Sequence, residues 1–184
     1  IKDHPALGAY ESLDESAQYL FPVEGMIEGA RFLKSLDFDT PYWHNHPSSV
    51  IDPRGLRHYG HFADIVSLDI YPIPSEFGYG GLPNKEINNI GEYTDLLRAS
   101  TLTHQPAWMV LQAYTFNDNE FPGIQGKGLR RFPTRAELRF MTFQSIVHGS
   151  RGVIYFLYVT RPIEPIAHSH VNKPFTPEFW SALK

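Results

Sequence analysis

The sequence predicts an α/β fold, a parallel sheet covered by helices, in a single domain spanning residues 1–184. Strand-like and helix-like stretches alternate along the whole chain, and the strands are nearly continuous apolar runs, which is typical of a parallel sheet buried on both faces. Long loops rich in polar and aromatic residues follow the strands, whereas short loops precede them. Function at the carboxyl ends of the strands is what a (β/α)8 barrel or a doubly wound sheet shows.

The first stretch, Ala6–Ser16, is an apolar run that ends in two adjacent carboxylates, Asp14 and Glu15. Desolvating a charge is costly unless the charge is paired or used, so acids directly after a buried strand indicate a site. A solvated loop that begins with acids is the alternative.

Three further elements follow in the first half of the chain. Apolar residues recur at helical spacing from Val23 to Leu36, which predicts a helix. An aromatic strand lies within residues 41–47, and a short helix lies near Leu56. The β-branched segment Ala63–Pro72 predicts the third strand, ended by its proline.

The second half repeats the alternation. We predict a helix carrying Ile87 to Leu97, a strand over Ala107–Tyr114, a helix from Thr134 to about His148 that opens on a capping box, and a fifth strand over Val153–Tyr158. Thr176 and Pro177 have the residue types of a helix start.

No glycine-rich phosphate loop directly follows a strand, which favours the barrel over a doubly wound nucleotide-binding sheet. A full barrel needs about 250 residues. The sequence begins at Ile1 without methionine and stops soon after the helix start at Thr176. We therefore expect a TIM (β/α)8 barrel of which this chain is the C-terminal part.

Composition excludes several classes of function. The formal net charge is -4, so there is no basic excess for nucleic acid. No stretch approaches the roughly 18 consecutive apolar residues of a membrane span. The chain has no cysteine, which excludes disulfides and thiolate metal sites. No cofactor is implied.

Polar and aromatic side chains gather at the predicted strand ends. Carboxylates and amides bond hydroxyl groups in fixed directions, and aromatic rings offer apolar faces on which a sugar can lie. The pattern therefore favours a carbohydrate ligand. Its residues are Asp14, Glu15, Asn45, His46, Asp69, Tyr71, Gln112, Tyr114 and Tyr155.

The first stretch, His4-Pro-Ala-Leu followed by Tyr10 and Asp14-Glu15, resembles the fourth strand of (β/α)8 glycoside hydrolases of the clan that contains the β-galactosidases. Three later segments resemble a branch of that group: Ala63–Pro72, Pro106–Tyr114 and Pro133–Tyr155. The resemblance implies strands four to eight of the barrel, an oligo- or polysaccharide substrate and a secreted or periplasmic location.

The resemblance also implies residue roles. Glu15 matches the clan's general acid, which protonates the leaving glycosidic oxygen. Asp14 takes the place of the asparagine that commonly precedes this acid, where it would hold a sugar hydroxyl or raise the pKa of Glu15.

Gln112 stands at the position nearest the clan's nucleophilic glutamate, and a neutral amide cannot form a glycosyl ester. Three outcomes stay open. Asp69 activates water in an inverting arrangement, with the two carboxyl groups about 6.5–9.5 Å apart. Glu120 supplies the second carboxylate from the long loop. Or the site binds sugar without cleaving it.

A metal-dependent barrel hydrolase is the alternative from another class, because His44 and His46 lie two apart on a strand and so share a face. Structural interpretations also stay open: Asp69 as a strand-end cap, Gln112 as a buried hydrogen-bond bridge, and each tyrosine as barrel lining. Because half a barrel leaves sheet edges unpaired, we expect the rest of the barrel or another chain to cover them.

Overall fold

The computed structural model describes residues 2–75, 80–115 and 131–157. Five strands alternate with four helices in these ranges. In chain order the elements are β1 (Tyr10–Glu11), α1 (Val23–Leu36), β2 (Tyr42–His46), α2 (Pro53–Gly60), β3 (Ile65–Ile70), α3 (Asn89–Ser100), β4 (Ala107–Gln112), α4 (Arg135–Val147) and β5 (Gly152–Phe156). The predicted alternation is confirmed.

The five strands form one parallel sheet whose spatial order, β1-β2-β3-β4-β5, is also their order in the sequence. Right-handed crossovers between successive parallel neighbours place every connecting helix on the same side of the sheet. A doubly wound sheet would instead reverse its order and carry helices on both sides. The topology is that of a half-barrel, five strands of a (β/α)8 arrangement.

The outer face of the sheet packs under the helices. Leu68 on β3 and Met109 on β4 are fully buried against α3 and α4, where Leu97 and Met141 are equally inaccessible. Burying a side chain of this size contributes about 1.5–3 kcal/mol. This layer fixes which residues of each strand point toward the helices and leaves the alternate residues for the inner face.

Two helix starts are fixed by local hydrogen bonds. The Asp52 carboxylate accepts from the Arg54 N–H at 3.1 Å before α2. The predicted capping box of α4 is present: Thr134 Oγ1 accepts from the Glu137 N–H at 3.2 Å, and the Glu137 carboxylate accepts from the Thr134 N–H at 2.7 Å.

The first strand is shorter than the apolar run suggested. Only Tyr10 and Glu11 pair with β2, and the preceding Ala6 is exposed. Beyond β1 the chain turns, and Glu15 takes a left-handed backbone with φ 48°, which is uncommon for a residue with a side chain.

Some predictions lie outside the described residues: Tyr158, Glu120 and the helix start at Thr176. Among the helices in the described ranges, none combines the length and apolarity needed to cross a membrane.

Candidate active site

A cleft of about 470 Å³ opens on the inner face of the half-barrel, at the carboxyl ends of the strands. Four carboxyl groups line it: Glu11 on β1, Asp14 and Glu15 in the turn that follows, and Asp69 on β3. A hollow of about 630 Å³ on the outer side of α4 is lined by arginine and apolar side chains and contains no carboxylate. Of these two cavities, only the inner cleft carries carboxyl groups.

Asp69 is the most deeply placed of these acids, with only 3 % of its surface exposed. Its carboxyl group hydrogen-bonds both Glu15 and the Tyr71 hydroxyl. Burial, followed by the nearby charge of Glu15, holds the pKa of Asp69 well above its usual range, and the Tyr71 hydrogen bond opposes this shift. A buried carboxyl with this pKa keeps its proton far more readily than a solvated one.

The pKa of Glu11, which also lines the cleft, is shifted as well. Burial and, secondarily, the charge of Asp14 raise the pKa of Glu11. Asp14 therefore lies close enough to Glu11 for its charge to act on that carboxyl group.

A chain of hydrogen bonds crosses the inner face and ends on Asp14. The Trp43 indole N–H donates to Ser67 Oγ at 2.8 Å, and the Ser67 hydroxyl donates to Asn45 Oδ1 at 2.6 Å. The Asn45 amide then donates to Asp14 Oδ1 at 3.0 Å. Because Asn45 Oδ1 already accepts from Ser67, the amide presents its N–H to Asp14, and this hydrogen bond orients the carboxylate.

Aromatic rings form the other wall of the cleft. Tyr71 and Tyr114 meet edge to face with ring centroids 5.1 Å apart, and Phe156 lies 5.9 Å from Tyr71 with the two rings at 28°. Tyr19 and Trp43 also reach the lining. The predicted combination of acids, an amide and aromatic faces is assembled here from Asp14, Glu15, Asn45, Asp69, Tyr71 and Tyr114.

Gln112 is not part of this lining. Its amide accepts from the Ile73 N–H at 2.8 Å and donates to the carbonyls of Ile73 at 2.7 Å and Tyr114 at 3.0 Å. The side chain is fully buried and all its hydrogen-bonding capacity points at backbone. The expected sugar contact is therefore corrected to the alternative, a bridge that fastens the segment after β3 to β4.

His46 is also placed away from the cleft. It lies on the outer face of β2 with no exposed surface, and its ring meets Gly60 of α2 so closely that a Cβ there would lie 2.9 Å from Nε2. A sugar in the cleft would have to cross the sheet to reach it. The prediction of a sugar contact is corrected to a buried packing position.

His44 shares that outer face, with Nδ1 2.5 Å from Ser12 Oγ and a ring centroid 4.6 Å from that of His46. Burial lowers the pKa of His44 to about 4. Among the described residues no group of three or more histidines and acids is arranged for a metal ion, and this pair faces the helices instead of the cleft. Within the described residues, His44 and His46 are therefore not arranged as the metal pair that their spacing predicted.

Tyr155 is the third displaced residue. It belongs to the outer face of β5, where its hydroxyl lies 2.6 Å from Thr142 Oγ1 of α4. Its neighbours Ile154 and Phe156 line the cleft in its place. The prediction of a ligand contact by Tyr155 is corrected accordingly.

Sequence reasoning missed Glu11, Trp43 and Ser67. Side chains on a strand alternate between its two faces, so Ser67, two residues before Asp69, shares the inner face with it. Glu11 and Trp43 are paired across β1 and β2 and lie on that face as well.

The fold places the chain in a structural class: its five parallel strands alternating with helices match part of a TIM-barrel glycosidase fold. No protein-family model and no curated protein matches the chain. The chain resembles solved structures of a β-galactosidase from the Antarctic haloarchaeon Halorubrum lacusprofundi (TM-score 0.54, 19 % identity, 78 % of this chain and 21 % of that one). It also resembles a β-glucuronidase from Ruminococcus gnavus in complex with D-glucuronic acid (TM-score 0.55, 15 % identity, 98 % of this chain and 32 % of that one). The same β-glucuronidase in complex with D-glucaro 1,5-lactone gives a TM-score of 0.57 at 15 % identity, over 98 % of this chain and 33 % of that one. At these identities the likeness concerns the fold, and the chain spans no more than about a third of these proteins.

Proposed function

We propose that this chain forms the C-terminal part of a glycoside hydrolase barrel, that its cleft binds carbohydrate, and that Glu15 is the general acid. The observation that carries the proposal is the hydrogen-bonded carboxyl pair Glu15–Asp69 in an aromatic-walled cleft at the carboxyl ends of the strands. Glycosidic cleavage needs a carboxyl group that is still protonated near neutral pH. The likeness of the fold to β-galactosidase and β-glucuronidase structures supports the same chemistry.

Asp69 acts through Glu15 in this proposal. The two carboxyl groups share a hydrogen bond, which is closer than the roughly 6.5–9.5 Å of an inverting pair or the roughly 5–5.5 Å of a retaining pair. No water or sugar carbon fits between them. We therefore assign Asp69 as a positioning residue that shares a proton with Glu15, and revise the expectation that it activates water.

A residue other than Asp69 must then supply the second carboxylate of the reaction. Glu11 and Asp14 line the same cleft, and Glu120 lies outside the described residues. Asp14 is held by Asn45 in a position to accept a sugar hydroxyl or to act on water. Tyr71 and Tyr114 supply the apolar faces for the sugar ring.

A second candidate function, carbohydrate binding without cleavage, is favoured by one observation. The position nearest the clan's nucleophile carries Gln112, whose amide is wholly occupied by backbone groups. A site that retains a sugar-binding cleft and lacks a nucleophile binds sugars and releases none.

The open side of the half-barrel needs a partner in either case. Leu13, Tyr19, Leu20 and Phe21, next to β1, expose between 41 and 80 % of their surface. Clustered exposed apolar side chains of this kind mark an interaction surface. We propose that the remainder of a barrel, or another chain, covers this edge.

The deciding experiment compares the native protein with Glu15→Gln on a panel of aryl glycosides and measures sugar binding separately. We expect Glu15→Gln to abolish hydrolysis while binding survives, because the amide keeps the shape and loses the transferable proton. Glu28→Gln, which changes an exposed glutamate of α1, is the matched control and should behave as native. Unchanged hydrolysis in Glu15→Gln overturns the assignment. Binding without hydrolysis in the native protein establishes the second candidate.

A further inference from the structure

The cleft is strongly one-sided in charge. Its described lining contains four carboxyl groups, of which Glu15 and Asp69 share a proton, and no lysine or arginine. Two described basic side chains are engaged elsewhere: Lys34 pairs with Asp64 at 2.6 Å, and Arg131 pairs with Glu137 at 2.7 Å. The acids of the cleft are thus not neutralised by these cations.

The carboxyl pair in the cleft also has more hydrogen-bond acceptors than donors. Asp69 Oδ1 is buried and accepts no hydrogen bond from an N–H or hydroxyl group of the described residues, and Asp69 meets Glu15 carboxyl to carboxyl. Two carboxyl groups that share one proton keep acceptor positions open. A bound group that carries N–H or O–H donors can fill these positions, whereas a group that only accepts hydrogen bonds cannot.

The aromatic wall favours the same kind of ligand. Tyr71, Tyr114 and Phe156 present ring faces and edges next to the acids. Ring faces attract C–H groups and cations through their negative quadrupole. Neither the acids nor the rings offer a favourable position for a carboxylate.

We infer that this cleft selects its sugar by charge: an amino sugar binds more tightly than its neutral counterpart, and a uronic acid binds most weakly. The inference rests on the proposed function and deepens it by naming the substrate class. Glu11 is the specificity-determining residue of this inference, because it lines the cleft beside Asp14 without belonging to the Glu15–Asp69 pair.

The test is a binding measurement on two matched sets of free sugars: glucosamine, glucose and glucuronate, and galactosamine, galactose and galacturonate. Dissociation constants are measured by calorimetry or ligand-observed NMR at low salt, at a pH where the amines are protonated and the uronates ionised. In whichever set binds, we expect the dissociation constants of amino sugar and uronate to differ about tenfold, since each of the two charge changes is worth a factor of about three. Added salt should narrow the ratio.

Glu11→Gln should also narrow the ratio, and Glu28→Gln, far from the cleft on α1, should leave it as in the native protein. A uronate that binds as tightly as the neutral sugar overturns the charge inference and leaves the proposed function intact. Failure of all six sugars to bind, together with no hydrolysis of any aryl glycoside, overturns both.

Discussion

The carboxyl groups of Glu15 and Asp69 hydrogen-bond to each other, although an exposed pair of this kind would carry two negative charges at neutral pH. Burial of Asp69 makes this contact possible, because a desolvated carboxyl retains its proton and can donate it to its neighbour. Burial and the neighbouring Glu15 therefore hold the pKa of Asp69 well above its usual range. This arrangement holds a proton in the cleft at a pH where solvated acids have lost theirs.

Asp69→Asn tests the proton-sharing role. The amide keeps the shape and can still hydrogen-bond Glu15 and Tyr71, but it cannot titrate. We expect kcat for aryl glycoside hydrolysis to fall by roughly tenfold to a hundredfold, and the alkaline limb of the pH profile to move to lower pH, because the buried acid that retained the proton is gone. A steady-state pH profile checks this. Asp39→Asn, which alters an exposed acid, should keep the native profile, and a merely structural role for Asp69 would lower activity without moving the limb.

The same substitution should stabilise the fold at neutral pH. The pKa of Asp69 is raised in the folded state, so its contribution is most favourable below the unfolded pKa of about 3.9 and is lost as pH rises through the folded pKa. An asparagine cannot ionise, so Asp69→Asn does not lose stability as the pH rises. We therefore expect this variant to be about 1–2 kcal/mol more stable than the native protein at pH 7. Urea unfolding should show the gain shrinking toward pH 4. A variant less stable than the native protein at pH 7 would contradict the assigned burial cost.

Sequence reasoning reached the fold because the signals were local. Helical spacing, proline stops and the Thr134 capping box fixed most elements, and continuous apolar strands indicated a parallel sheet. Strand order required no further information, since successive strands are neighbours.

The site was predicted less completely, for a reason visible in two pairs of adjacent residues. Asn45 and His46 follow each other on β2, as Ile154 and Tyr155 do on β5, so the members of each pair must face opposite sides of the sheet. Only Asn45 and Ile154 line the cleft. The period of two could have excluded His46 and Tyr155 from a site that contains their neighbours.

Gln112 could not be assigned in this way. It shares the face of Val110, and its amide is turned to the backbone of Ile73, thirty-nine residues earlier. That contact is tertiary and leaves no local signal.

Gln112→Glu asks whether this position can accept the carboxylate of a nucleophile. The native amide donates two hydrogen bonds to carbonyl oxygens, and an ionised glutamate would set a charge against both. We expect a loss of about 1–3 kcal/mol for the unmet groups, with no gain of hydrolysis. Denaturant midpoints measure the loss, and Gln144→Glu on partly exposed α4 is the control. A stable Gln112→Glu protein that gains glycosidase activity would show that the position is catalytic and not structural.

Asn45→Ala tests the hydrogen-bond chain that ends on Asp14. Removing the amide releases the Asp14 carboxylate and leaves the Ser67 hydroxyl without its acceptor. If Asp14 holds a sugar hydroxyl, the dissociation constant of the bound sugar should rise about fivefold to tenfold, as the loss of one charge-assisted hydrogen bond predicts. Calorimetry with the tightest-binding sugar measures this change. Ser35→Ala, which alters an exposed serine of α1, should bind as native, and unaltered binding in Asn45→Ala would remove Asp14 from the ligand contacts.

The two histidines on the outer face of β2 predict how the fold responds to acid. Burial lowers the pKa of His44 to about 4 and that of His46 well below 6.5. The unfolded chain binds these protons at a higher pH than the folded chain does. The two histidines therefore cost no stability above their unfolded pKa, and the free energy of unfolding should fall as pH drops from about 6.5 toward 4. His44 alone accounts for up to about 3 kcal/mol of this loss.

His46→Leu isolates the second histidine. Neither ring nitrogen of His46 has a hydrogen-bond partner among the described residues, so leucine removes a buried polar group without breaking a described bond. We expect unfolding curves between about pH 4 and 7 to show a shallower loss of stability in His46→Leu than in the native protein. His61→Leu, which replaces an exposed histidine just after α2, should leave the slope unchanged. An equally steep loss in His46→Leu would mean that His46 is already protonated in the folded protein. That result would contradict the assignment of His46 as a buried, neutral side chain.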